Sequence, residues 1–433
     1  MALCILALTS SAGRAAEILD CHVGSYRLND GSLVDIAPSD KATLRWRRFD
    51  GTTGALHRSA KGDWSSTFGW TGRPDGKSVS FSDCKTGNID FDKTPGSRIA
   101  FDVTNTRFNS HGTVLVGRLV MPKGKNRVPV VVLLHGSEHD SALTFYSLQR
   151  MLPAEGIGAF VYDKRGTGIS GGTYSQDFNL LADDAVAATR EARRLAGTRL
   201  VRIGFQAGSE GGWVAPLAAN RAPVDFVIVC FGLAVSVIDE DREEVELEMR
   251  EKGHSPAQIA KAQEVARAAE TVIASSFMRG FNTFDAVRAK YRNASWYKDL
   301  HGDYTWMLLP YSEPQLRAMA PKFRWGTPFY YDPMPALRAN TTPQLWISGG
   351  EDYEAPSAET GRRIKSLIGA GRPFTLALYP HAEHGMTLFE TTADGSRLST
   401  RYAPGYFAMI RDFARDGRLK PPYGDAVLTR RLR

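Results

Sequence analysis

The 433-residue sequence predicts an α/β protein with a mostly parallel central sheet flanked by helices, a helical cap inserted into it, and a small all-β domain in front. Three observations lead there. The runs VPVVVLLHG, GAFVYDKRG, RLVRIGF, DFVIVCFG, TPQLWISGG and FTLALYP are near-continuous in Val, Leu and Ile, as strands buried on both faces must be, and helical patterns separate them. Ahead of them lie short segments such as TLRWRRF and SVSF, with turn signals at Asp30-Gly31, Asp50-Gly51 and Asp75-Gly76. From about 234 to 340 the strand rhythm breaks off into helical and aromatic-rich sequence, an insertion long enough to form a lid or cap.

Composition bounds the function. Hydrophobic residues at 42% and charged residues at 23% describe a globular chain with a sizeable core. The formal charge of +7 comes from Lys and Arg scattered along the chain, without the stripe or recognition helix that nucleic acid requires. No run is long enough to span a membrane as a helix. The basic end, LTRRLR, is expected to be a solvated tail.

Taken in order, residues 1–16 include ALCILALTSSAGRAA, an apolar run followed by small residues that reads as a secretory leader lacking a basic start. Export to the periplasm or medium is therefore the expectation. Residues 17–104 form the small β domain, too short for a propeller of several blades. Its Cys21 and Cys84 can pair in an oxidising compartment or remain as two buried thiols. Trp46, Trp64 and Trp70 belong either to its core or to a sugar-stacking surface. Residues 105–433 hold the α/β domain. In it, Phe178, Leu181, Ala185, Ala188, Ala192 and Leu195 recur at helical spacing between Asp177 as N-cap and Gly197 as terminator. Cys230, in an apolar run, is a core residue, and Cys4 lacks the small-residue context of a lipoprotein cysteine. In the insertion, Ser255-Pro256 opens a helix whose apolar face carries Ile259, Ala262, Val265, Ala269 and Val272.

The chemistry centres on RLVRIGFQAGSEGGWVAPLAA, where a strand runs into small residues and then an alanine-rich helix. A serine at such a junction sits on a sharp turn that excludes bulky neighbours, which explains the pattern Ala207-Gly208-Ser209-Glu210-Gly211. Its partners should follow in the order acid then histidine on loops after later strands. Asp352 follows QLWISGG and His384 follows FTLALYP, with Glu351 and Glu354 as rivals for the acid and His381 for the base. Ser209 is thus the candidate nucleophile, His384 the base and Asp352 the residue that orients it. Backbone donors for an oxyanion are expected at Glu210 and at Ser137 in the loop after VVVLLHG. The His381/His384 spacing has no third ligand cluster, so no metal is expected.

The segments HGSEHD, YDKRGTGISGG, AGSEGGWVAP, GGEDYEAP and PHAEHGM resemble the α/β-hydrolase superfamily, in particular bacterial serine esterases and peptidase-like hydrolases with a D-x-R-G-x-G-x-S segment, here Asp163 to Ser170. The resemblance covers about residues 105–417, with Ala207 in place of the first glycine of the motif, and leaves the N-terminal module outside it. It implies about eight strands, an acyl-serine intermediate and no cofactor, and it gives Arg165 a loop-shaping role. The expected activity is a carboxylesterase acting on a small or medium ester in an apolar pocket. An aminopeptidase is the alternative: the run Asp239, Glu240, Asp241, Glu243, Glu244 offers carboxylates for an α-amine, although acidic residues equally suit a first helical turn. A silent binding protein on the same scaffold is a third reading.

Overall fold

A computed structural model describes residues 21–39, 43–59 and 62–431. The expected leader at 1–16, with Cys4 in it, lies outside these residues. The first eight strands are β1 (Gly24–Leu28), β2 (Leu33–Ser39), β3 (Thr43–Arg47), β4 (Thr53–Arg58), β5 (Trp64–Thr67), β6 (Pro74–Phe81), β7 (Asn88–Phe91) and β8 (Thr94–Arg98). They pair antiparallel in sequence order, and β8 returns to β1 to close a barrel. The period of two along each strand turns Tyr26, Val34, Ile36, Leu44, Trp46, Leu56 and Trp64 into one core, so two of the three tryptophans are interior while Trp70 is 37% exposed. Cys21 is bonded to Cys84. Asp30-Gly31 and Asp50-Gly51 lie in the links β1–β2 and β3–β4, but Asp75-Gly76 falls inside β6. The β5–β6 turn instead runs from Phe68 to Arg73, closed by the Phe68 N–H donating to the Arg73 carbonyl.

The second sheet uses β9 (Phe101–Ser110), β10 (Thr113–Pro122), β11 (Val128–Leu134), β12 (Gly158–Tyr162), β13 (Leu200–Gly208), β14 (Phe226–Cys230), β15 (Gln344–Gly349), β16 (Phe374–Tyr379) and, at its far edge, β19 (Val427–Arg430). Their order is β19-β16-β15-β14-β13-β11-β12-β10-β9, with parallel pairing from β12 through β16. Along β11, Val130, Val132 and Leu134 enter one core and Val131 and Leu133 the other, which is why this strand reads as an unbroken apolar run. The sheet has nine strands, one more than the resemblance implied, because the first three residues of the LTRRLR end, Leu428 to Arg430, are not solvated tail: β19 adds antiparallel to β16. Between β16 and β19 a separate hairpin forms from β17 (Thr387–Thr391) and β18 (Arg397–Tyr402).

The helices described are α1 (Ala142–Phe145), α2 (Leu148–Ala154), α3 (Phe178–Ala196), α4 (Gly211–Arg221), α5 (Val237–Glu251), α6 (Pro256–Ala274), α7 (Phe281–Tyr291), α8 (Asp303–Leu308), α9 (Glu313–Met319), α10 (Met334–Ala339), α11 (Ser357–Gly369) and α12 (Tyr406–Asp416). The Asp177 carboxylate caps α3 by accepting from the Asn179 and Leu180 N–H groups. Ser255 and Gln258 form a capping box at α6. Helices α5 to α9 share their own core, including Val245, Val265, Ala269, Val272, Phe284 and Trp296, whereas Trp306 and Tyr330 remain exposed.

The barrel docks at two places. Asp35 on β2 accepts both nitrogens of the Arg150 fork from α2, at 2.8 and 2.9 Å. At the hairpin, the Tyr402 N–H donates to the Gly51 carbonyl (2.9 Å) and the Trp70 N–H to the Ser399 carbonyl (2.8 Å). Only glycine permits the approach: a Cβ on Gly51 would lie 2.4 Å from the Tyr402 carbonyl oxygen, and one on Gly69 2.3 Å from that of Thr400.

Candidate active site

Strand β13 ends at Gly208, α4 starts at Gly211, and Ser209 between them has φ of 49°. That left-handed conformation is costly for a residue with a Cβ and is held here by backbone bonds and by close packing of its neighbours. The Ser209 N–H donates to the Cys230 carbonyl (3.1 Å) and its carbonyl accepts from the Gly212 N–H (2.7 Å). A Cβ on Gly208 would meet the Phe231 ring at 2.9 Å, and one on Gly211 the His135 carbonyl oxygen at 2.8 Å. The small residues around the serine are therefore required by contact, and Ala207 fits because it is buried without needing the missing glycine's freedom.

Asp352 and His384 come from two loops laced by backbone bonds. The Gly350 N–H donates to the Tyr379 carbonyl and the Glu351 N–H to the Ala382 carbonyl. This brings His384 Nδ1 to 3.1 Å from each carboxylate oxygen of Asp352. The Asp352 side chain is fully buried, and its Oδ1 also accepts from the Ala355 N–H at 2.8 Å. Glu351 pairs instead with His381, whose side chain is 72% exposed. Glu354 does approach the imidazole, but at Nε2, 3.5 Å away. Burial opposes charge on His384, yet Asp352, then Glu354 and Asp303, outweigh it and raise its pKa to about 9.

The loop after β11 is braced by a residue that sequence reading passed over. Lys164, buried in the DKRG segment, donates to the Gly136 carbonyl at 2.7 Å and contacts Glu210 Oε1 at 3.1 Å. Because a trans peptide sets its C=O and N–H in opposite directions, anchoring the Gly136 oxygen on Lys164 turns the Ser137 N–H away from it. The Ser137 carbonyl is held in turn by the Tyr174 hydroxyl at 2.6 Å. Burial raises the Glu210 carboxyl to about 7 despite Lys164 beside it. Arg165 makes a bidentate pair with Asp184 of α3, at 2.7 and 2.6 Å, and Asp163 accepts from the Leu143 and Ile169 N–H groups. The DKRG segment is thus a buried brace between loops.

Ser137, Ser209 and His384 face one cavity of about 640 Å³ with Tyr146, Phe231 and Phe407 among its walls. The barrel contributes Arg47 and Trp70. On the cap side, Ser209 and Glu210 also border a small cavity of about 80 Å³, with Glu240, Asp303, Tyr304 and Glu354 around it. Of the acidic run on α5, only Glu240 reaches this space. Asp241 accepts from the Tyr304 and Thr305 N–H groups and Glu244 from that of Asp303, so both serve the start of α8, while Asp239 pairs with Arg242. Burial, then Asp303 and Asp241 nearby, holds the Glu240 carboxyl well above the usual range, and burial also raises that of Asp303. Asp303 has no motif around it in HGDYTW, and only the packing of α8 against α5 brings it to the site. The hairpin β17–β18 that flanks His384 does carry a signal, the Asp394-Gly395 turn between β-branched segments.

A central parallel sheet in this order, with a serine on the turn between β13 and α4, defines an α/β-hydrolase fold fronted by a β-barrel. Residues 125–270 match the family model described as serine aminopeptidase, S33. Among solved structures, an acylaminoacyl peptidase of Pyrococcus horikoshii is similar at 14% identity and a TM-score of 0.44, covering 91% of this chain and 58% of that one, so this chain spans little more than half of its length. An esterase of Pyrococcus furiosus matches at 13% identity and TM-score 0.41, covering 66% of this chain and 85% of that one. A hypothetical protein of Pseudomonas aeruginosa matches at 16% identity and TM-score 0.41, with 72% and 93% covered. No curated protein sequence matches the chain. Among the described residues no helix is long and apolar enough to cross a membrane, and no group of three or more His, Cys, Asp or Glu side chains forms a metal site.

Proposed function

We propose that this hydrolase-fold protein is a serine hydrolase that cleaves a small or medium carboxylic ester through an acyl-serine intermediate. The observation that carries the reading is the strained Ser209 facing the same cavity as His384, whose far nitrogen is oriented by Asp352. Ser209 Oγ attacks the substrate carbonyl while His384 takes its proton; the oxyanion is met by the Ser137 and Glu210 N–H groups. As the tetrahedral intermediate collapses, the bond to the alcohol breaks and His384 gives the leaving oxygen its proton. Water, deprotonated by His384, then attacks the acyl-serine and releases acid and free serine. The apolar walls of the larger cavity suit the hydrocarbon part of an acyl or alcohol group.

A second reading has its own support. Glu240, Asp303 and Glu354 beside Ser209 form a negative recess that favours an acyl group bearing a free amine, and the matched family model carries the name of an aminopeptidase. Hydrolysis of p-nitrophenyl esters and of aminoacyl p-nitroanilides by wild type and Ser209→Ala, in one preparation, tests both. Ester turnover lost in the variant supports the first reading, and a clear preference for the anilides supports the second. Turnover that survives Ser209→Ala refutes both. The Cys21–Cys84 bond supports work in an oxidising compartment such as the periplasm or the medium.

A further inference from the structure

The barrel supplies the larger cavity with a charged side chain that the acyl-transfer chemistry does not use. Arg47, the last residue of β3, lines that cavity with Trp70. Its Nε donates to the Tyr402 hydroxyl at 3.1 Å, while its Nη1 is buried without a hydrogen-bond partner. A guanidinium donor withdrawn from water and left unpaired is costly, so natural proteins keep one where something else completes it.

The carboxylates near Arg47 are committed elsewhere. Asp35 sits opposite it in the β2–β3 register but gives both oxygens to Arg150. Glu138, on the cavity wall, accepts from the Tyr146 hydroxyl, and Glu354 lies against His384. Among the described residues, no carboxylate lies within ion-pair distance of Arg47. Beside it the Trp70 indole is fixed by the Arg45 guanidinium, 4.2 Å from the ring centre, and by Tyr402 edge-on at 5.5 Å. A guanidinium with one nitrogen left unpaired, next to a rigid aromatic wall, suits a carboxylate carried on an apolar body. The barrel is also tied down on both sides of the cavity, at α2 through Asp35 and Arg150 and at the hairpin through Gly51 and Gly69. Arg47 therefore stays at a set position relative to Ser209.

We infer that Arg47 is a specificity-determining residue: it receives an anionic group, a carboxylate, on the part of the substrate that extends from the scissile carbonyl toward the barrel. The inference rests on the reading of Ser209 as nucleophile, and it makes the barrel part of the substrate site. Trp70 packs the apolar segment that separates the carboxylate from the carbonyl.

The test uses the full chain and three esters: neutral p-nitrophenyl butyrate, mono-p-nitrophenyl glutarate with its carboxylate on the acyl side, and 4-carboxyphenyl butyrate with it on the leaving side. One of the two anionic esters is expected to exceed the neutral one at least tenfold in kcat/KM, that ratio to fall about tenfold or more in Arg47→Met, and part of it to return in Arg47→Lys. A ratio equal in wild type and Arg47→Met, or no preference for either anion, overturns the inference. Calorimetric binding of 4-phenylbutyrate against 4-phenylbutyramide gives a readout independent of turnover and, on wild type, of any variant's folding. Selective binding of the acid, weakened in Arg47→Met, supports the anion site; equal binding of acid and amide, or none of either, refutes it. Should the acid bind in this way while no ester is cleaved and Ser209 resists a fluorophosphonate, the hydrolase reading fails and the anion site stands.

Discussion

Glu354→Gln isolates the electrostatics of the proposed base. His384 Nε2 lies 3.5 Å from Glu354 Oε2, and the imidazole titrates at about 9 in the free protein. At pH 7 only about one molecule in a hundred then carries the neutral imidazole that general-base catalysis needs, so kcat/KM should climb about tenfold per pH unit toward pH 9. The Glu354 side chain is 66% exposed, so its attraction for the imidazolium is largely screened. Coulomb's law at 3.5 Å with the dielectric of water gives about 1.2 kcal/mol, equivalent to about 0.9 of a pH unit; an effective dielectric of about 20 would give about 4.7 kcal/mol, an upper bound for so exposed a carboxylate. Removing the charge is therefore expected to move the acid limb down by about one pH unit and to raise kcat/KM at pH 7 by about eightfold. The assay is the pH profile of kcat/KM between pH 5.5 and 10 on neutral p-nitrophenyl butyrate, which has no charge of its own to meet Glu354. The displacement should shrink in 1 M salt, where the Debye length is about 3 Å. An acid limb that stays in place at low salt, or moves up, refutes the argument that Glu354 helps to hold the proton on His384.

Other consequences can be checked directly. Lys164→Met leaves Glu210 buried without its partner and frees the Gly136 carbonyl, so it should lower stability by about 3–5 kcal/mol and reduce kcat, with Lys164→Met/Glu210→Gln recovering part of the stability in denaturant melts. Thermal stability should decline as pH rises from 7 to 9: Glu210 at about 7, Glu243 at about 8 and His384 at about 9 all titrate above their unfolded values, so at these groups the native state binds more protons across that range and loses that advantage as each is crossed. Calorimetry at a series of pH values gives the sign, and a rise in Tm toward pH 9 would contradict it. Glu240→Gln puts a permanently neutral group among Asp303, Asp241 and Glu354, where the carboxylate form is disfavoured, so it should raise Tm most at alkaline pH while raising KM for substrates with a free amine. Reducing the Cys21–Cys84 bond opens a link across 63 residues and should cost up to about 4 kcal/mol by loop entropy, read as an earlier unfolding of the barrel signal.

The local sequence carried much of this architecture because its signals are local. A strand buried on both faces can only be a run like VPVVVLL, a serine on a left-handed turn must stand among glycines and alanine, and Asp177 and Ser255 announce helix starts through their own caps. The order of Ser209, Asp352 and His384 along the chain was legible for the same reason, since each follows a recognisable strand. What the sequence could not express was distance. Lys164 reads as one basic residue in a loop until its ammonium is found under Gly136 and Glu210, and only when α8 packs beside α5 do Asp241 and Glu244 become acceptors for its start and Glu240 a wall of the small cavity. The placement of the barrel was equally beyond local pattern. Its contact depends on Gly51 and Gly69 meeting the backbone of a hairpin more than three hundred residues away, and that meeting is what sets Arg47 and Trp70 at the rim of the Ser209 cavity. Periodicity and turn chemistry act over a few residues, so a sequence discloses them directly; charge pairing and cavity walls are made by groups that only the folded chain brings within a few ångströms.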